Sequence, residues 1–299
     1  MLAMTNTRPT PALLANADNP PPPTRAGRLI GIGDLLGFGV LHVVAVMTIV
    51  TVGFSWGAFG LFLATYAIRT WGVCVGFHRY FSHHSFKTSR PMQFAIAVVG
   101  TTAMQKGVLW WASTHRRHHR LADTPLDPHS PHHRSFLYSH CGWVFDPAHQ
   151  GYDERIVADL TVYPELVWLE RFKFVPVAAL AAGLWMVTGP QGFLWGFCVS
   201  TVVLWHTTLS TGSFSHRVSG YRNFEMTDDS RNNRLIALLL LGEGWHNNHH
   251  RAPNSARHST GWHEPDPLFA TLRVLSAVGL VWSLRDSLPA ADPASRLRN

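Results

Sequence analysis

The stretch GAFGLFLATYAIRTWGVCVGFHRYFSHH, residues 57–84, joins an apolar segment directly to a group of histidines. Roughly 20 apolar residues are needed for an α-helix to cross the hydrocarbon core of a bilayer, and residues 57–76 meet that length. The histidines His78, His83 and His84 come directly after this segment. The stretch therefore predicts a membrane helix that ends in a candidate metal-ligand group.

Three more apolar segments of similar length lie at residues 35–54, 174–189 and 191–211. Very short connectors join the first with residues 57–76 and the last two with each other, so we predict four transmembrane helices in two hairpins. Apart from Arg69, the Lys and Arg residues lie in the N-terminal tail, in residues 77–173 or after residue 211. By the positive-inside rule these regions, including both termini, are cytoplasmic.

Composition agrees with a membrane protein. Of the 299 residues, 46% are hydrophobic and only 14% are charged, against about 25% charged in soluble domains. This excludes a disordered or collagen-like chain and leaves a soluble helical protein with a long core as a minor alternative. The net charge of +7 is explained by the cytoplasmic segments, so we expect no nucleic-acid partner. Three separated cysteines, at 74, 141 and 198, indicate neither disulfides nor a thiolate site.

The domain boundaries are set by these patterns. We predict a disordered, Pro-rich tail over residues 1–28, a membrane domain over residues 29–287 and a C-terminal tail over residues 288–299. The apolar stretch Met92–Trp111 contains Gln105 and Lys106, and we expect one buried or interfacial helix on the cytoplasmic side. For Arg69, inside the second span, we expect the side chain to snorkel to the interface, with pairing to a neighbour as the alternative.

Two further histidine groups have helical spacing: HRRHH at residues 115–119 and HNNHH at residues 246–250. Residues three and four apart share a helix face, so each motif directs three imidazoles to one side. One group alone could be a solvated surface cluster. Because an even number of predicted crossings separates all three groups, we expect them to meet at one cytoplasmic site.

Imidazole is a ligand for zinc, copper, iron and nickel. A zinc site normally takes three or four ligands, the chain has no HExxH catalytic pattern, and eight or more candidate histidines therefore indicate two ions. Two such metals beside a membrane suit O₂ chemistry on an apolar substrate, and we predict iron.

These motifs resemble those of the membrane fatty acyl desaturases of the delta-9, stearoyl-CoA-desaturase-like type, in their bacterial form. The resemblance rests on HRYFSHHSF (78–86), HRRHH (115–119), DPHS and SFLYSHCGW (within 127–143) and GEGWHNNHH (242–250), and runs from about residue 35 to 285. It implies an all-α integral membrane fold, four transmembrane helices in two hairpins with a cytoplasmic helical cap that holds a di-iron site. It also implies location in the bacterial inner membrane.

The resemblance implies nine histidine ligands for two iron ions. They carry over as His78, His83, His115, His118, His119, His216, His246, His249 and His250. Many relatives have an asparagine four residues before the ligand at 216, where it holds one iron through a water. Gly212 stands there in this chain, which leaves Ser213 or Ser215 as possible replacements.

Carboxylates near the motifs are candidates to accept hydrogen bonds from metal-bound imidazoles. They are Asp123, Asp127, Glu243 and, more weakly, Asp229. We expect the remaining histidines to lie outside the ligand set: His84 as a supporting or surface group, His129 and His140 as motif flanks, His42 and His206 as interior groups, and His132, His133, His149, His258 and His263 as surface or loop residues.

The resemblance implies O₂-dependent insertion of a cis double bond, at the delta-9 position, into a saturated acyl chain. An unactivated C–H bond offers no polar handle, so a narrow tunnel must position it. Candidate tunnel residues are Gln105, Trp110 and Trp111, for which interfacial anchoring is the alternative.

The carrier and the electron source are predicted less directly. Animal acyl-CoA desaturases hold CoA through an Arg-Asp pair and a basic pair, where this chain has Ser113-Thr114 and Asp146-Pro147. This favours an acyl lipid over acyl-CoA as substrate, with a CoA site built from other basic residues as the alternative. The chain has no haem or ferredoxin motif, so we expect an external ferredoxin or cytochrome with its reductase. The rival functions are a hydroxylase or acetylenase on the same scaffold and, more remotely, a membrane metal-binding or transport protein.

Overall fold

The computed structural model describes residues 25–289, which are mostly helical. The α-helices are α1 Arg25–Met47, α2 Trp56–Trp71, α3 Arg90–Thr101, α4 Val108–Leu121, α5 Phe136–His140, α6 Ala158–Thr161, α7 Pro164–Arg171, α8 Phe174–Phe193, α9 Ser200–Ser213, α10 Arg234–Leu239, α11 His246–Arg251 and α12 Pro267–Ala277. Segments of π-helix cover Thr48–Val52, Gly72–Ser82 and Leu194–Val199, and short 3₁₀ helices cover Gly142–Phe145 and Pro147–His149. Strands β1 Lys87–Thr88 and β2 Val281–Trp282 form an antiparallel pair.

The predicted tails lie largely outside the described residues. Residues 25–28, assigned to the tail from the sequence, instead form the first turn of α1. The remainder of the predicted N-terminal tail and residues 290–299 are not described.

Three helices, rather than four, are long and apolar enough to cross a membrane within the described part of the chain. They are Gly27–Val52, Trp56–Ser82 and Phe174–Ser213. Much of α1 exposes its apolar side chains, including Leu36, Val40 and Val43. A contiguous exposed apolar surface of this kind is typical of contact with lipid.

The third apolar segment reverses direction at Gly189, which has φ 69° and ψ −171°. A Cβ on Gly196 would lie 3.6 Å from Cδ1 of Leu184, whereas residues that far apart in a straight helix are separated by about 18 Å. Val177 and Phe197 also share one apolar cluster. The 40 residues therefore double back as a hairpin, and glycine suits the turn because it tolerates positive φ.

The prediction that Arg69 snorkels to the interface was wrong, and the alternative, pairing with neighbouring side chains, describes the structure. Its side chain does not reach an interface, because the residue is only 1% exposed. One guanidinium nitrogen donates to the Thr201 hydroxyl at 2.6 Å and another donates to the Ser200 hydroxyl. The guanidinium thus joins α2 to α9, and hydroxyls of the neighbouring helix supply the hydrogen bonds that a snorkelling arginine would take from water.

The stretch Met92–Trp111 was predicted as one helix but forms two, α3 and the first turn of α4. The intervening loop has left-handed backbone at Met104 (φ 56°) and Lys106 (φ 65°). The carboxylate of Glu170 accepts hydrogen bonds from the backbone N–H groups of Leu109 at 2.8 Å and Trp110 at 3.2 Å. This buried cap starts a new helix, since the first N–H groups of a helix need an external acceptor.

We predict that Glu170→Ala leaves those N–H groups without their acceptor and costs about 1–2 kcal/mol. The midpoint of thermal unfolding in detergent should fall by about 3–6 °C. The exposed Glu154 provides the matched control, and Glu154→Ala should leave the midpoint nearly unchanged. Equal midpoints for the two variants would rule out the capping role.

Candidate metal centre

Five of the predicted histidines bring ligand nitrogens within 4.8 Å of one another: His78, His83, His115, His119 and His249. The Nε2 atoms of His78 and His249 are 2.9 Å apart, and those of His115 and His83 are 2.8 Å apart. Because neutral imidazole binds a metal through a free ring nitrogen, converging Nε2 atoms form a suitable cage for one ion. We call this group the five-histidine cluster.

The other four predicted histidines form a second group, the four-histidine cluster, made of His118, His216, His246 and His250. The Nε2 atoms of His216 and His246 are 2.9 Å apart. Within the described chain, Nε2 of His118 and Nε2 of His250 are buried without a hydrogen-bond partner. An orphaned buried polar atom costs about 1–3 kcal/mol, and a bound cation would satisfy both nitrogens.

The two clusters are neighbours because consecutive residues serve different groups. His119 belongs to the five-histidine cluster and His118 to the other; the same division separates His249 from His250. The rings of His119 and His250 have centroids 4.4 Å apart. Helices α4 and α11 therefore each contribute to both clusters, and the nine imidazoles fit two adjacent metal ions.

The protonation state also suits metal binding. Burial, together with the nearby imidazoles, lowers the pKa of His115, His119 and His246 well below the usual histidine range. These rings are thus neutral near pH 7, as metal ligation requires.

Glu243 lies against the predicted ligand His78. Its Oε2 lies 2.5 Å from Nδ1 of His78, and its Oε1 accepts a hydrogen bond from Nε of Arg79 at 2.7 Å. Burial opposes ionisation, but Arg79, and after it His258 and His78, holds the pKa of Glu243 below its usual range. The ionised carboxylate fixes the ring so that Nε2 faces the cluster.

The two predicted aspartates lie against histidines of the four-histidine cluster. Asp127 Oδ1 is 3.0 Å from Nδ1 of His118, and Asp123 Oδ2 is 2.8 Å from Nδ1 of His216. Burial of Asp123 raises its pKa, but the charge of His216 and the hydrogen bond to His216 outweigh this effect and lower the pKa of Asp123 to about 2. Both carboxylates are therefore placed to orient these rings.

The sequence analysis named Asp229 as a candidate hydrogen-bond acceptor, but its neighbour Asp228 is the aspartate that faces the cluster. Asp228 Oδ2 lies 3.1 Å from Nδ1 of His250, whereas Asp229 is exposed and lies 3.2 Å from His132. Two consecutive aspartates in a loop give no sequence signal for which one faces inward.

Sequence reasoning also missed the amides that hold the short helix α11. The side chain of Asn248 donates to Glu264 at 2.8 Å and to the His258 carbonyl at 2.8 Å. Asn247 Oδ1 accepts from the backbone N–H of Asn223 at 2.8 Å. A six-residue helix has little stability of its own, so this buried network fixes the three histidines that it carries.

His258, predicted to be a surface or loop residue, lies in a loop but is not at the surface. It is 0% exposed, its ring centroid lies 4.7 Å from that of His249, and its Nδ1 lies 3.7 Å from Glu243 Oε1. The loop after α11 folds back over the five-histidine cluster, and the packing of that loop has no short-range sequence signal.

Other histidines lie as expected. The side chain of His84 is 50% exposed and lies 3.1 Å from Asp159. His42 and His206, predicted as interior groups, are joined through their Nε2 atoms at 2.7 Å. His140 extends this chain, with Nε2 2.9 Å from Nδ1 of His206 and Nδ1 2.9 Å from the Ser213 hydroxyl.

The space beside Gly212 is filled by His129. A Cβ at position 212 would lie 3.0 Å from Nδ1 of His129, and the ring of His129 stacks on that of His118 with centroids 4.4 Å apart. A larger side chain at 212 would have to displace His129. The hydroxyl of Ser213 is occupied by His140 and Leu209, which removes it as a simple replacement for asparagine.

A cavity of about 490 Å³ borders this centre. Its wall includes ligands from both clusters, among them His78, His115, His118 and His246, and apolar side chains such as Phe38, Trp143 and Trp205. The predicted tunnel residues Gln105, Trp110 and Trp111 all line it. The geometry combines an apolar cavity with two adjacent imidazole cages.

A sequence profile described as fatty acid desaturase matches residues 54–274, which include every histidine of the two clusters. The chain belongs to the fatty acid desaturase family. It is accordingly an oxidoreductase of lipid metabolism, and the prediction of a desaturase is confirmed. The helical fold with three apolar helices agrees with an all-α membrane desaturase.

Relatives of this desaturase act on several carriers, according to their names. The chain is 34% identical over 262 residues to sn-2 palmitoyl-lipid 9-desaturase of Nostoc sp. (strain 36), covering 86% of this chain and 90% of the relative. It is 38% identical over 252 residues to acyl-CoA 5-desaturase AL21 of Anemone leveillei, covering 83% and 77%. It is also 34% identical to the hex-5-enoyl-[acyl-carrier protein] acetylenase of Moorena producens (strain JHB), covering 78% and 77%.

We predict that Glu243→Gln weakens metal binding about 10–100-fold, because removal of a carboxylate that orients a ligand has this typical effect. Iron retained per chain during titration with a chelator measures the change. Glu225, which is exposed, supplies the control Glu225→Gln. Iron retention by Glu243→Gln equal to that of the control would contradict the assignment.

Proposed function

We propose that this desaturase introduces a cis double bond at the delta-9 position of a saturated acyl chain, with O₂ and two external electrons. The observation that carries the proposal is the placement of both histidine clusters at the wall of one apolar cavity. A water-excluding cavity holds an acyl chain and limits side reactions at a reactive centre. The names of three lipid 9-desaturases among the relatives support the bond position.

We assign the two metal ions as iron, held by the five-histidine and four-histidine clusters. Neutral imidazoles suit iron, and the unpartnered Nε2 atoms of His118 and His250 fit a bound cation. The iron pair would supply the activation of O₂. Overall, a –CH₂–CH₂– unit, O₂, two electrons and two protons give –CH=CH– and two water molecules.

Residues of the cavity wall would position the acyl chain beside the metals. Gln105 donates a hydrogen bond to the Thr208 hydroxyl at 3.1 Å, which fixes one side of the cavity. Trp110 donates its indole N–H to the His149 carbonyl and stacks on Trp143 with centroids 5.6 Å apart. Rigid, hydrogen-bonded walls of this kind can hold one pair of methylenes against the metals, and such alignment is the main contribution to rate for an unactivated C–H bond.

We further propose that the two hairpins cross the bacterial inner membrane four times, with the histidine clusters and both termini on the cytoplasmic side. The reversal at Gly189 and the contact between the hairpin ends, where the Trp195 indole donates to the Gly53 carbonyl at 3.1 Å, support this arrangement. Basic side chains on the cytoplasmic side suit an acidic ferredoxin or cytochrome as electron donor. We favour an acyl lipid over acyl-CoA as substrate.

An acetylenase or hydroxylase on the same metal scaffold is the second candidate. The acetylenase from Moorena producens among the relatives is the specific observation that favours it. Since these reactions share hydrogen abstraction and differ in their later steps, only the product distinguishes them. A transport function has little support, because the apolar helices carry almost no carboxylates.

We predict that expression in an aerobic host without its own desaturase yields a new monounsaturated fatty acid with the bond at carbon 9. His249→Ala should abolish it, because His249 contacts three other ligands of the five-histidine cluster. Gas chromatography–mass spectrometry after double-bond derivatisation measures the product. The matched control is His84→Ala, which changes the adjacent histidine of the first motif and should retain activity.

The proposal fails if saturated chains persist in the wild type with a functional electron donor supplied. Hydroxylated or triple-bonded products would establish the second candidate instead. Equal activity of His249→Ala and the wild type would exclude the cluster as the reacting centre.

A further inference from the structure

Charged side chains form a small part of the cavity wall, which is otherwise largely apolar. Asp34, Lys106 and Lys173 all line the cavity, and Lys106 contacts Asp34. The side chains of Asp34 and Lys173 are 26% and 29% exposed, whereas the lining histidines His78, His118 and His246 are buried. We therefore take this charged group as the mouth of the cavity, where the polar part of a substrate would remain.

Lys106 is the most enclosed charge at this mouth, since its side chain is 9% exposed. Its ammonium donates to the carboxylate of Asp34 and to Gln150 Oε1 at 2.6 Å, and it lies 5.7 Å from the ring centroid of Trp110. Long aliphatic stems usually carry lysine charges out to water. The Lys106 side chain instead keeps its ammonium at the cavity wall, away from bulk water.

The backbone that presents Lys106 is strained. Met104 and Lys106 both have left-handed φ, a conformation that is unfavourable for residues other than glycine. Such strain persists only where the surroundings impose it, and it concentrates at functional sites. A lysine on a relaxed loop could pair with Asp34 without this cost, so the ion pair alone does not account for the conformation.

Asp34 belongs to α1, which closes the side of the cavity. Gly33, Asp34, Gly37 and Phe38 of this helix line the cavity, and Phe38 stacks on Trp205 with centroids 5.1 Å apart. Most of the rest of α1 is exposed. The carboxylate of Asp34 therefore holds a loosely packed helix against the ammonium at the mouth.

We propose that Lys106 binds the phosphate of the acyl carrier. When no carrier is bound, the carboxylate of Asp34 pairs with the Lys106 ammonium and so competes with the phosphate. This rests on the proposed desaturase function, because it concerns the carrier of the same acyl chain. A phosphate oxygen replaces the carboxylate oxygen in the same charge-assisted hydrogen bond. The site then discriminates anionic carriers, phospholipid or phosphopantetheine, from neutral glycolipids.

The position of Lys106 suits an anchor. Lys106 directly precedes the N-cap of α4, and His115 lies seven residues after Val108, the first residue of α4. The rise from Val108 to His115 is about 10 Å. A carrier held at Lys106 would thus keep its head group at one end of α4 and leave the acyl chain to pass the ligands on that helix.

The test compares dissociation constants of the full-length, iron-loaded protein for three stearoyl ligands in neutral detergent. They are stearoyl lysophosphatidylglycerol, stearoyl-CoA and, as the neutral probe, stearoyl monogalactosylglycerol. Lys106→Gln should weaken a phosphate ligand tenfold or more and leave the galactolipid unchanged. Asp34→Asn should tighten the same ligand several-fold, since it removes the competitor. Asp286→Asn, which breaks the surface pair with Arg257, is the control and should change no constant.

The proposal predicts that Lys106→Gln weakens phosphate binding and that Asp34→Asn strengthens it. An ion pair with a purely structural role would not produce these opposite changes in the dissociation constant. If both variants weaken phosphate binding, or Lys106→Gln weakens all three ligands equally, the proposal is overturned. The proposal also fails if wild-type protein binds no phosphate ligand more tightly than the galactolipid. Given the expected signs, a preference for the lysophospholipid identifies lipid as the carrier and a preference for stearoyl-CoA identifies CoA. Binding is measured without turnover, so a failure of the desaturase function would appear separately as missing product.

Discussion

Burial of nine imidazoles around two positions is the constraint on which the rest of the structure depends. Nine rings lie in two adjacent clusters, and every additional apolar contact around them makes a charged or unpaired ring more costly. Carboxylates solve this problem at the outer edge of several rings, where Glu243, Asp123, Asp127 and Asp228 each accept from Nδ1. The inward-facing Nε2 atoms are then free, and a cation is the partner that satisfies them together.

The surrounding helices hold the two histidine clusters in position and shield them from water. Helix α4 carries three of the predicted ligands and begins at the buried cap provided by Glu170, which fixes the start of the helix. Helix α11 supplies three more but is only six residues long, and buried amides replace the stability that its length cannot give. The cavity that borders both clusters is also lined by Asp34, Lys106 and Lys173.

Much of this could be predicted from local patterns. Helical spacing places His115, His118 and His119 together, and even membrane crossings place the three motifs on one side; the structure brings all nine predicted histidines together. Features that depend on packing between distant segments were missed or wrong. His258 is buried because a loop folds back, and Arg69 is paired because hydroxyls from α9 face it. A separate helix α4 begins after α3, where a carboxylate from α7 caps its first turn. None of these partners lies near its target in the sequence.

The central claim is that the two clusters hold one iron ion each. X-ray absorption at the iron edge of the purified protein, together with iron counted per chain, tests it most directly. We predict two iron ions per chain, coordinated mainly by nitrogen at about 2.0–2.2 Å, close to the distances of other metal–imidazole bonds. A single tightly bound iron, or a coordination shell dominated by oxygen or sulfur, would contradict the account.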